Sequence, residues 1–316
     1  MGDDITEAGR CAGTAPSGNR EGRVTTSEAP RSEATRYAPA WLELREGPDG
    51  AARATELLDA LRGRLAGAAA SPEDRERPLV VHDLGCGTGS MGRWLAPRLA
   101  GPQHWVLHDH DPDLLELAAV RTPRTSADGS RVTVATERRD LAELTADGLA
   151  GASLVTASAL LDVLTREEVD ALAAACAGAG CPALFALSVV GRVELSPAEP
   201  LDTELAEAFN AHQRRADHGR SLLGPDAVAV AAAAFARVGA TVRVHASPWR
   251  LGAADRELTA EWLRGWVGAA CEQRPELAPR AEEYLRRRLE QCGAGALRVV
   301  VHHSDLLALP RTGGAA

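Results

Sequence analysis

Residues 80–94 read VVHDLGCGTGSMGRW, an apolar run that ends in an acidic residue and a cluster of glycines. Two glycine patterns overlap in this stretch. From Gly87, GTGSMG fits the G-x-G-x-x-G turn of dinucleotide sites. From Asp83, DLGCGTG places a carboxylate ahead of three glycines at alternate positions. Both patterns predict a tight turn after a buried strand, where the backbone approaches a ligand closely.

The Asp83 carboxylate separates the two interpretations. A dinucleotide places its pyrophosphate at the helix N-terminus after the turn, and a carboxylate two residues before the first glycine would repel that group. A ligand with a cationic amino group would instead bind the carboxylate, directly or through water. Asp109, which ends the next strand, suits either ligand, since both predict an acidic residue for a ribose about 20 residues further on. No pattern in the second half of the chain indicates a nicotinamide pocket.

Strands and helices alternate around this turn. Apolar runs predict strands that start near Pro78, Gln103, Arg131, Ala152 and Pro182, with helices between them. This alternation indicates a parallel sheet with right-handed crossovers. A capping box of Thr165 with Glu168 predicts the start of one of the helices.

The flanking segments predict mainly helix. Ahead of the first strand we expect a short helix, a turn at 47–50 (GPDG) and a longer helix. Residues 192–239 are predicted to be mostly helical around the polar loop NAHQRRADHGR, and a sixth strand follows from Ala240. Two Trp-bearing helices over 253–292 and a final strand from Leu297 complete the pattern. We expect disordered tails at 1–35 and 311–316 and one domain over 36–310.

Composition excludes several kinds of chemistry. The 35 basic residues are all Arg, so no lysine exists for Schiff-base, phosphate-loop or kinase chemistry. A net charge of −9 disfavours a general nucleic-acid binder. No apolar run reaches the roughly 20 residues that span a membrane. The six cysteines form no C-x-x-C pair, which together with the absence of a secretory signal favours reduced thiols and a cytoplasmic location.

The motif DLGCGTG, with Asp109 after the second strand, Asp140 after the third and LVTASALLDVL on the fourth, resembles the class I S-adenosylmethionine-dependent methyltransferases. The resemblance covers about residues 78–190 and extends loosely to 303. It implies a doubly wound, seven-stranded, mostly parallel Rossmann-like sheet, with helical insertions after strands five and six. In that family an antiparallel seventh strand lies between the fifth and the sixth.

The resemblance also implies a set of cofactor-binding residues and S-adenosylmethionine as the cofactor. Gly85, Gly87 and Gly89, with Cys86 between them as a packing residue, would line the methionine and ribose parts, and Asp83 would orient the amino group. Further positions implied by the family pattern are Asp109 at the ribose with His110 beside it, Asp140 and Leu141 at the adenine, and Ser158 within the segment near the sulfonium. No metal site is expected, because His302 and His303 alternate faces and have no ligand spacing with His108 and His110.

The methyl acceptor is less well defined by the sequence. His212 or His218 could act as a general base and Arg215 could bind an anionic group, or this segment could be a solvated helix face. Tyr37, Trp41 and Arg45 could touch the ligands, or Trp41 could simply anchor its helix. Trp249, Trp262 and Trp266 are interpreted as core aromatics.

We therefore expect an enzyme that methylates an O or N atom of a small, polar or anionic metabolite. The alternatives are an RNA or protein methyltransferase, a nicotinamide oxidoreductase, and a catalytically silent protein that keeps the cofactor fold. The acidic balance disfavours the first, and no nucleic-acid or membrane partner is expected. The sequence does not indicate an oligomeric state.

Overall fold

The computed structural model describes residues 39–68, 71, 76–138, 145–217 and 219–311. The expected tail over 1–35 lies outside these residues, and so does the tail over 311–316 except for Arg311. The predicted residues Tyr37, Asp140, Leu141 and His218 also lie outside them. The domain boundaries at 35 and 310 therefore stay predictions.

A central sheet positions the glycine turn. Its strands are β1 (Leu79–Leu84), β2 (Gln103–Asp109), β3 (Val132–Arg138), β4 (Leu154–Ser158), β5 (Ala183–Ser196), β8 (Thr241–Ala246), β9 (Trp249–Leu251) and β10 (Arg298–Leu309). A separate hairpin consists of β6 (Ala216–Asp217) and β7 (Arg220–Ser221).

The strand order is β3-β2-β1-β4-β5-β10-β8, with β9 paired to β10 beside this path. The strands β1 to β5 run parallel, whereas β10 is antiparallel to both β5 and β8. The predicted Rossmann-like fold is confirmed, including the position of the antiparallel strand. The short strand β9 and the hairpin of β6 and β7, which lies in the segment predicted as a polar loop, are additions that the sequence analysis did not predict.

Helices cover both faces of the sheet and extend beyond its carboxyl edge. They are α1 (Pro39–Ala52), α2 (Leu58–Ala68), α3 (Ser90–Leu95), α4 (Pro112–Arg121), α5 (Arg166–Ala179), α6 (Leu201–Gln213), α7 (Ala227–Arg237), α8 (Arg256–Gln273) and α9 (Ala278–Gly293). The capping box predicted for α5 is present, with reciprocal bonds between Thr165 and Glu168. The predicted insertions after strands five and six correspond to α6 with α7 and to α8 with α9.

Three apolar clusters form the core. One packs α5 and α7 on one face of the sheet, around Phe185 and Phe235. A second packs α2, α3 and α4 on the other face, around Leu61 and Trp105. The third joins α6, α8 and α9 to the ends of β5 and β10 that extend past the sheet's carboxyl edge. This third cluster places a helical layer beside the edge where the glycine turn lies.

Two local predictions were wrong. The segment 47–50, predicted as a turn, lies inside α1. Pro48 lacks the N–H that an inner helical turn uses, but buried Asp49 accepts bonds from Arg45 and from the Trp249 indole, and these contacts keep the helix continuous. Of the two helices predicted over 253–292 to carry Trp, only α8 does, because Trp262 and Trp266 both lie on it and α9 contains no Trp.

Candidate active site

The glycine turn links β1 to α3, and its conformation depends on glycine. Gly85, Gly87 and Gly89 have φ angles of 61°, 54° and 82°, values that side-chain-bearing residues rarely adopt. A Cβ on Gly87 would lie 3.3 Å from Leu42, and one on Gly89 would lie 3.1 Å from the Cβ of Ala118. The turn therefore brings bare backbone to the carboxyl edge of the sheet, between α1 and α4.

Asp109 supports the turn from the neighbouring strand. Its Oδ2 accepts the Gly87 N–H at 2.9 Å, and its Oδ1 accepts the Asp111 N–H at 3.0 Å. The side chain is buried, and the partly exposed His110 imidazole lies 3.3 Å from Oδ1. Because an ionised carboxylate can accept about four hydrogen bonds, Asp109 keeps acceptor sites for the hydroxyl groups of a ligand.

Asp83 is a buried carboxylate with one oxygen left without a partner. Its Oδ1 accepts a bond from the Thr156 hydroxyl on β4 at 2.8 Å, whereas its Oδ2 is buried and unpaired. Burial raises the pKa of Asp83 to about 7, although the Thr156 bond and the positive charge of Arg53 act in the opposite direction. An unpaired buried oxygen of this kind favours a cationic or hydrogen-donating ligand.

Arg53 places a buried cation beside the same turn. It follows α1, is 3 % exposed, and donates from Nη2 to the hydroxyls of Ser90 at 3.0 Å and Ser158 at 3.1 Å. Its Nη1 donates to the Ser90 carbonyl at 3.3 Å, whereas its Nε is buried and unpaired. Arg53 thus joins the first residue of α3 to the last residue of β4, and it leaves one donor for a ligand.

Hydrogen bonds hold the helix α1 against the turn and α3. Arg93 of α3 donates to the Glu46 carboxylate on α1 at 2.5 and 2.7 Å, and it also donates to the Thr88 carbonyl in the turn. The Trp94 indole donates to the Gly50 carbonyl at 3.1 Å. These contacts hold Leu42 against Gly87 and make α1 one wall of the site.

The structure brings together most of the predicted cofactor residues that it describes. Asp83, the three glycines, Asp109, His110 and Ser158 all lie at or next to the carboxyl ends of β1, β2 and β4. Cys86 is buried, and burial raises the pKa of its thiol well above the usual range, so the group is a neutral packing residue. Asp140 and Leu141 lie outside the described residues, so an adenine contact there stays a prediction.

The predicted acceptor residues lie on the helical layer. His212, near the end of α6, pairs through Nε2 with Glu272 of α8 at 3.0 Å, and Arg215 donates to the His212 carbonyl at 3.2 Å. Glu272 and Arg215 are exposed at the surface. Among the described residues, His212 and Arg215 contact each other and Glu272, not the glycine turn, and their role in catalysis stays a prediction.

His303, which the sequence analysis considered only as a metal ligand, lies close to α1. His303 of β10 is 4 % exposed, its Nδ1 has no hydrogen-bond partner, and its ring packs 5.2 Å from that of Trp249. The Arg45 guanidinium of α1 lies over the Trp249 ring, 5.1 Å from the ring centroid. Burial, assisted by the charge of Arg45, lowers the pKa of His303 to about 3, so its imidazole is neutral.

Two further observations concern the described part of the chain. No group of three or more His, Cys, Asp or Glu side chains is arranged there to hold a metal ion. None of the helices in that part combines the length and the apolar character that crossing a membrane requires.

No protein-family model and no curated protein matches the sequence. Among solved structures, the chain is similar to a SAM-dependent methyltransferase from Thiobacillus denitrificans in complex with S-adenosyl-L-homocysteine, with 16% identity, 87% of this chain and 99% of that chain covered, and a TM-score of 0.40. It is also similar to a SAM-dependent methyltransferase from Geobacter sulfurreducens in complex with S-adenosyl-L-homocysteine. The identity is 15%, 87% of this chain and 99% of that chain are covered, and the TM-score is 0.40. For a cyclopropane synthase from Mycobacterium tuberculosis, the identity is 12%, 79% of this chain and 83% of that chain are covered, and the TM-score is 0.39.

Proposed function

We propose that this chain is an S-adenosylmethionine-dependent methyltransferase that acts on an oxygen or nitrogen atom of a small polar molecule. One observation carries the proposal: the carboxyl oxygen Oδ2 of Asp83 and the guanidinium Nε of Arg53 are both buried and unpaired, and both flank the glycine turn. An α-amino acid headgroup fits this pair, with its ammonium at Asp83 and its carboxylate at Arg53. A pyrophosphate would have to approach the Asp83 carboxylate.

The remaining residues fit the rest of the same cofactor. The carboxylate of Asp109 would accept the ribose hydroxyls, and the side-chain-free turn at Gly85–Gly89 would allow close backbone contact. When bound, the cofactor supplies an activated methyl group on a sulfonium, so the protein needs mainly to align the acceptor and exclude water.

The protein's own contribution would then be orientation and desolvation. Leu42, Glu46 and Arg93 hold α1 across the turn, which shields that side of the site from solvent. On the acceptor side, His212, His218 and Arg215 stay candidates for proton transfer and anion binding. His303 is an additional candidate, since its neutral, unpaired Nδ1 lies beside the aromatic ring of Trp249.

A polar, uncharged acceptor fits the residues near α1 better than an anionic one. Arg45 forms two bonds with Asp49 at 2.9 and 3.3 Å, Arg93 is paired with Glu46, and the one unpaired donor of Arg53 is assigned to the cofactor carboxylate. A small-molecule acceptor and a cytoplasmic location are part of the proposal. The free thiols of the described cysteines support the location.

Calorimetric titration of the purified chain tests the proposal. S-adenosylhomocysteine should bind and NADH should not, because only the former offers an amino acid headgroup to Asp83 and Arg53. Binding of NADH without S-adenosylhomocysteine would make the chain an oxidoreductase candidate. Binding of S-adenosylhomocysteine by a chain that methylates nothing in a metabolite and RNA screen would indicate a silent cofactor-binding protein.

Acceptor variants then separate the two histidine regions. With an acceptor found in the screen, His212→Ala and Arg215→Ala should lower turnover if the α6 segment forms the acceptor site. His303→Gln should lower turnover if the Trp249 region does. Full turnover in the α6 variants would remove that segment from the mechanism.

A further inference from the structure

A cavity of about 530 Å³ lies at the amino edge of the sheet, opposite the glycine turn. Its walls come from the C-terminal ends of α5 and α7, the starts of β5 and β8, and the end of β10. The volume lies within the range of roughly 300–1,000 Å³ that is common for small-molecule sites. The proposed methyltransferase reaction uses none of these residues.

Two arginines give the cavity a positive charge. Arg64 of α2 lines one side and donates to the Gly180 carbonyl at 3.5 Å, and its Nε is buried without a hydrogen-bond partner. Arg311 lines the other side, where its side chain passes over Gly239. The C-terminal carbonyls of α5 contribute about half a negative charge, which two guanidinium groups outweigh. The described residues that line the cavity include no Asp or Glu.

A pair of thiols forms part of the same wall. Cys176 and Cys181 both line the cavity, and the Cys181 thiol also contacts the Cys176 carbonyl, with sulfur and oxygen 3.8 Å apart. A hydrogen bond from the Cys176 thiol lowers the pKa of Cys181, and the charge of Arg64 acts in the same direction. The same thiol contact, together with burial, raises the pKa of Cys176. Cys181 is therefore the more nucleophilic of the two.

We propose that this cavity is a second ligand site, which binds a small anion between Arg64 and Arg311 and presents it to the thiol of Cys181. The ligand class follows from the cationic walls, and the thiol makes the site open to modification by anionic electrophiles. The site is independent of the methyl-transfer proposal, since it lies at the opposite edge of the sheet.

Alkylation with a matched pair of reagents tests the site. Iodoacetate and iodoacetamide react by the same step: the thiolate sulfur attacks the methylene carbon, the C–I bond breaks and iodide leaves. A thiolate repels an anion, so an ordinary thiolate reacts faster with the neutral amide. The measured quantity is the alkylation rate with iodoacetate divided by the rate with iodoacetamide, and Cys271 is the internal reference. Because the two arginines attract the anionic reagent, this ratio should be about fivefold or more higher at Cys181 than at Cys271. Peptide mass spectrometry of the full chain measures both cysteines in one sample.

Variants locate the effect. Arg64→Gln and Arg311→Gln should each return the Cys181 ratio toward that of Cys271. Arg62→Gln, on the same helix but outside the cavity, should leave it unchanged. Inorganic phosphate should slow the labelling of Cys181 by iodoacetamide in the unmodified protein and not in Arg64→Gln. Equal ratios at the two cysteines, or a Cys181 that neither reagent labels, would overturn the proposal.

Discussion

Binding of S-adenosylhomocysteine should release protons from Asp83. Its pKa of about 7 means that about half of the free protein carries a proton on this carboxyl group at pH 7. A ligand ammonium group at Oδ2 stabilises the ionised form and lowers that pKa. About 0.5 proton should therefore leave per ligand bound at pH 7, about 0.9 at pH 6 and about 0.1 at pH 8.

Calorimetry in buffers of different ionisation enthalpy measures this release as the slope of the observed enthalpy. The Asp83→Asn variant, which has the same shape and no titrating group, should show no slope from this source. A slope of zero in the unmodified protein, or proton uptake, would refute the assignment of the amino group to Asp83.

The same raised pKa predicts a stability effect in the ligand-free protein. A carboxyl group with a raised pKa stabilises the fold at low pH, and this contribution is lost as the pH rises from the ordinary value of 3.8 through about 7. A shift of about 3 units corresponds to about 4 kcal/mol. Asp83→Asn should therefore unfold at higher denaturant concentration than the unmodified protein at pH 8, with the difference shrinking towards pH 5. Equal midpoints at pH 8 would contradict the burial argument.

Three further changes probe other contacts of the site. Arg53→Gln should weaken S-adenosylhomocysteine binding by about 1–3 kcal/mol in calorimetry, because the ligand carboxylate loses its donor, whereas the exposed control Arg62→Gln should bind normally. Asp109→Ala should cost a similar amount through the lost ribose bonds and the freed Gly87 N–H, and unchanged affinity would count against both roles. Gly87→Ala should lower the unfolding free energy by about 1–3 kcal/mol. The control is Gly101→Ala, because Gly101 also has a positive φ but no neighbour within 4 Å of an added Cβ, and its loss should be smaller. Equal losses would show that the Leu42 contact is unimportant.

The sequence predicted most of the fold because its signals were local and consistent. Apolar runs, the glycine turn at 85–89 and the capping box at Thr165 each predicted the element that the structure shows, and the family resemblance implied the antiparallel placement of β10. The turn predicted at 47–50 was wrong because distant partners, Trp249 above all, outweigh the local preference of Pro48.

The site was only partly predictable for a related reason. Asp83 and Asp109 follow strands at characteristic distances, so their positions were visible in the sequence. Arg53 and His303 were not selected, because neither belongs to a motif. The contacts of Arg53 reach residues 37 and 105 positions away in the chain, and the unpaired Nδ1 of His303 becomes evident only once β10 is packed.

The placement of β10 has a consequence for how the chain can be assembled. This strand follows all other described strands in the chain, but it lies between β5 and β8, and its Asp305 accepts bonds from Ala54, Leu187 and Ser247. During synthesis, β8 therefore has no sheet partner and the Ala54 N–H has no carboxylate acceptor until residues 298–309 have left the ribosome. A nascent chain halted before that point would expose two open strand edges, which makes the final strand the step that protects the protein from aggregation.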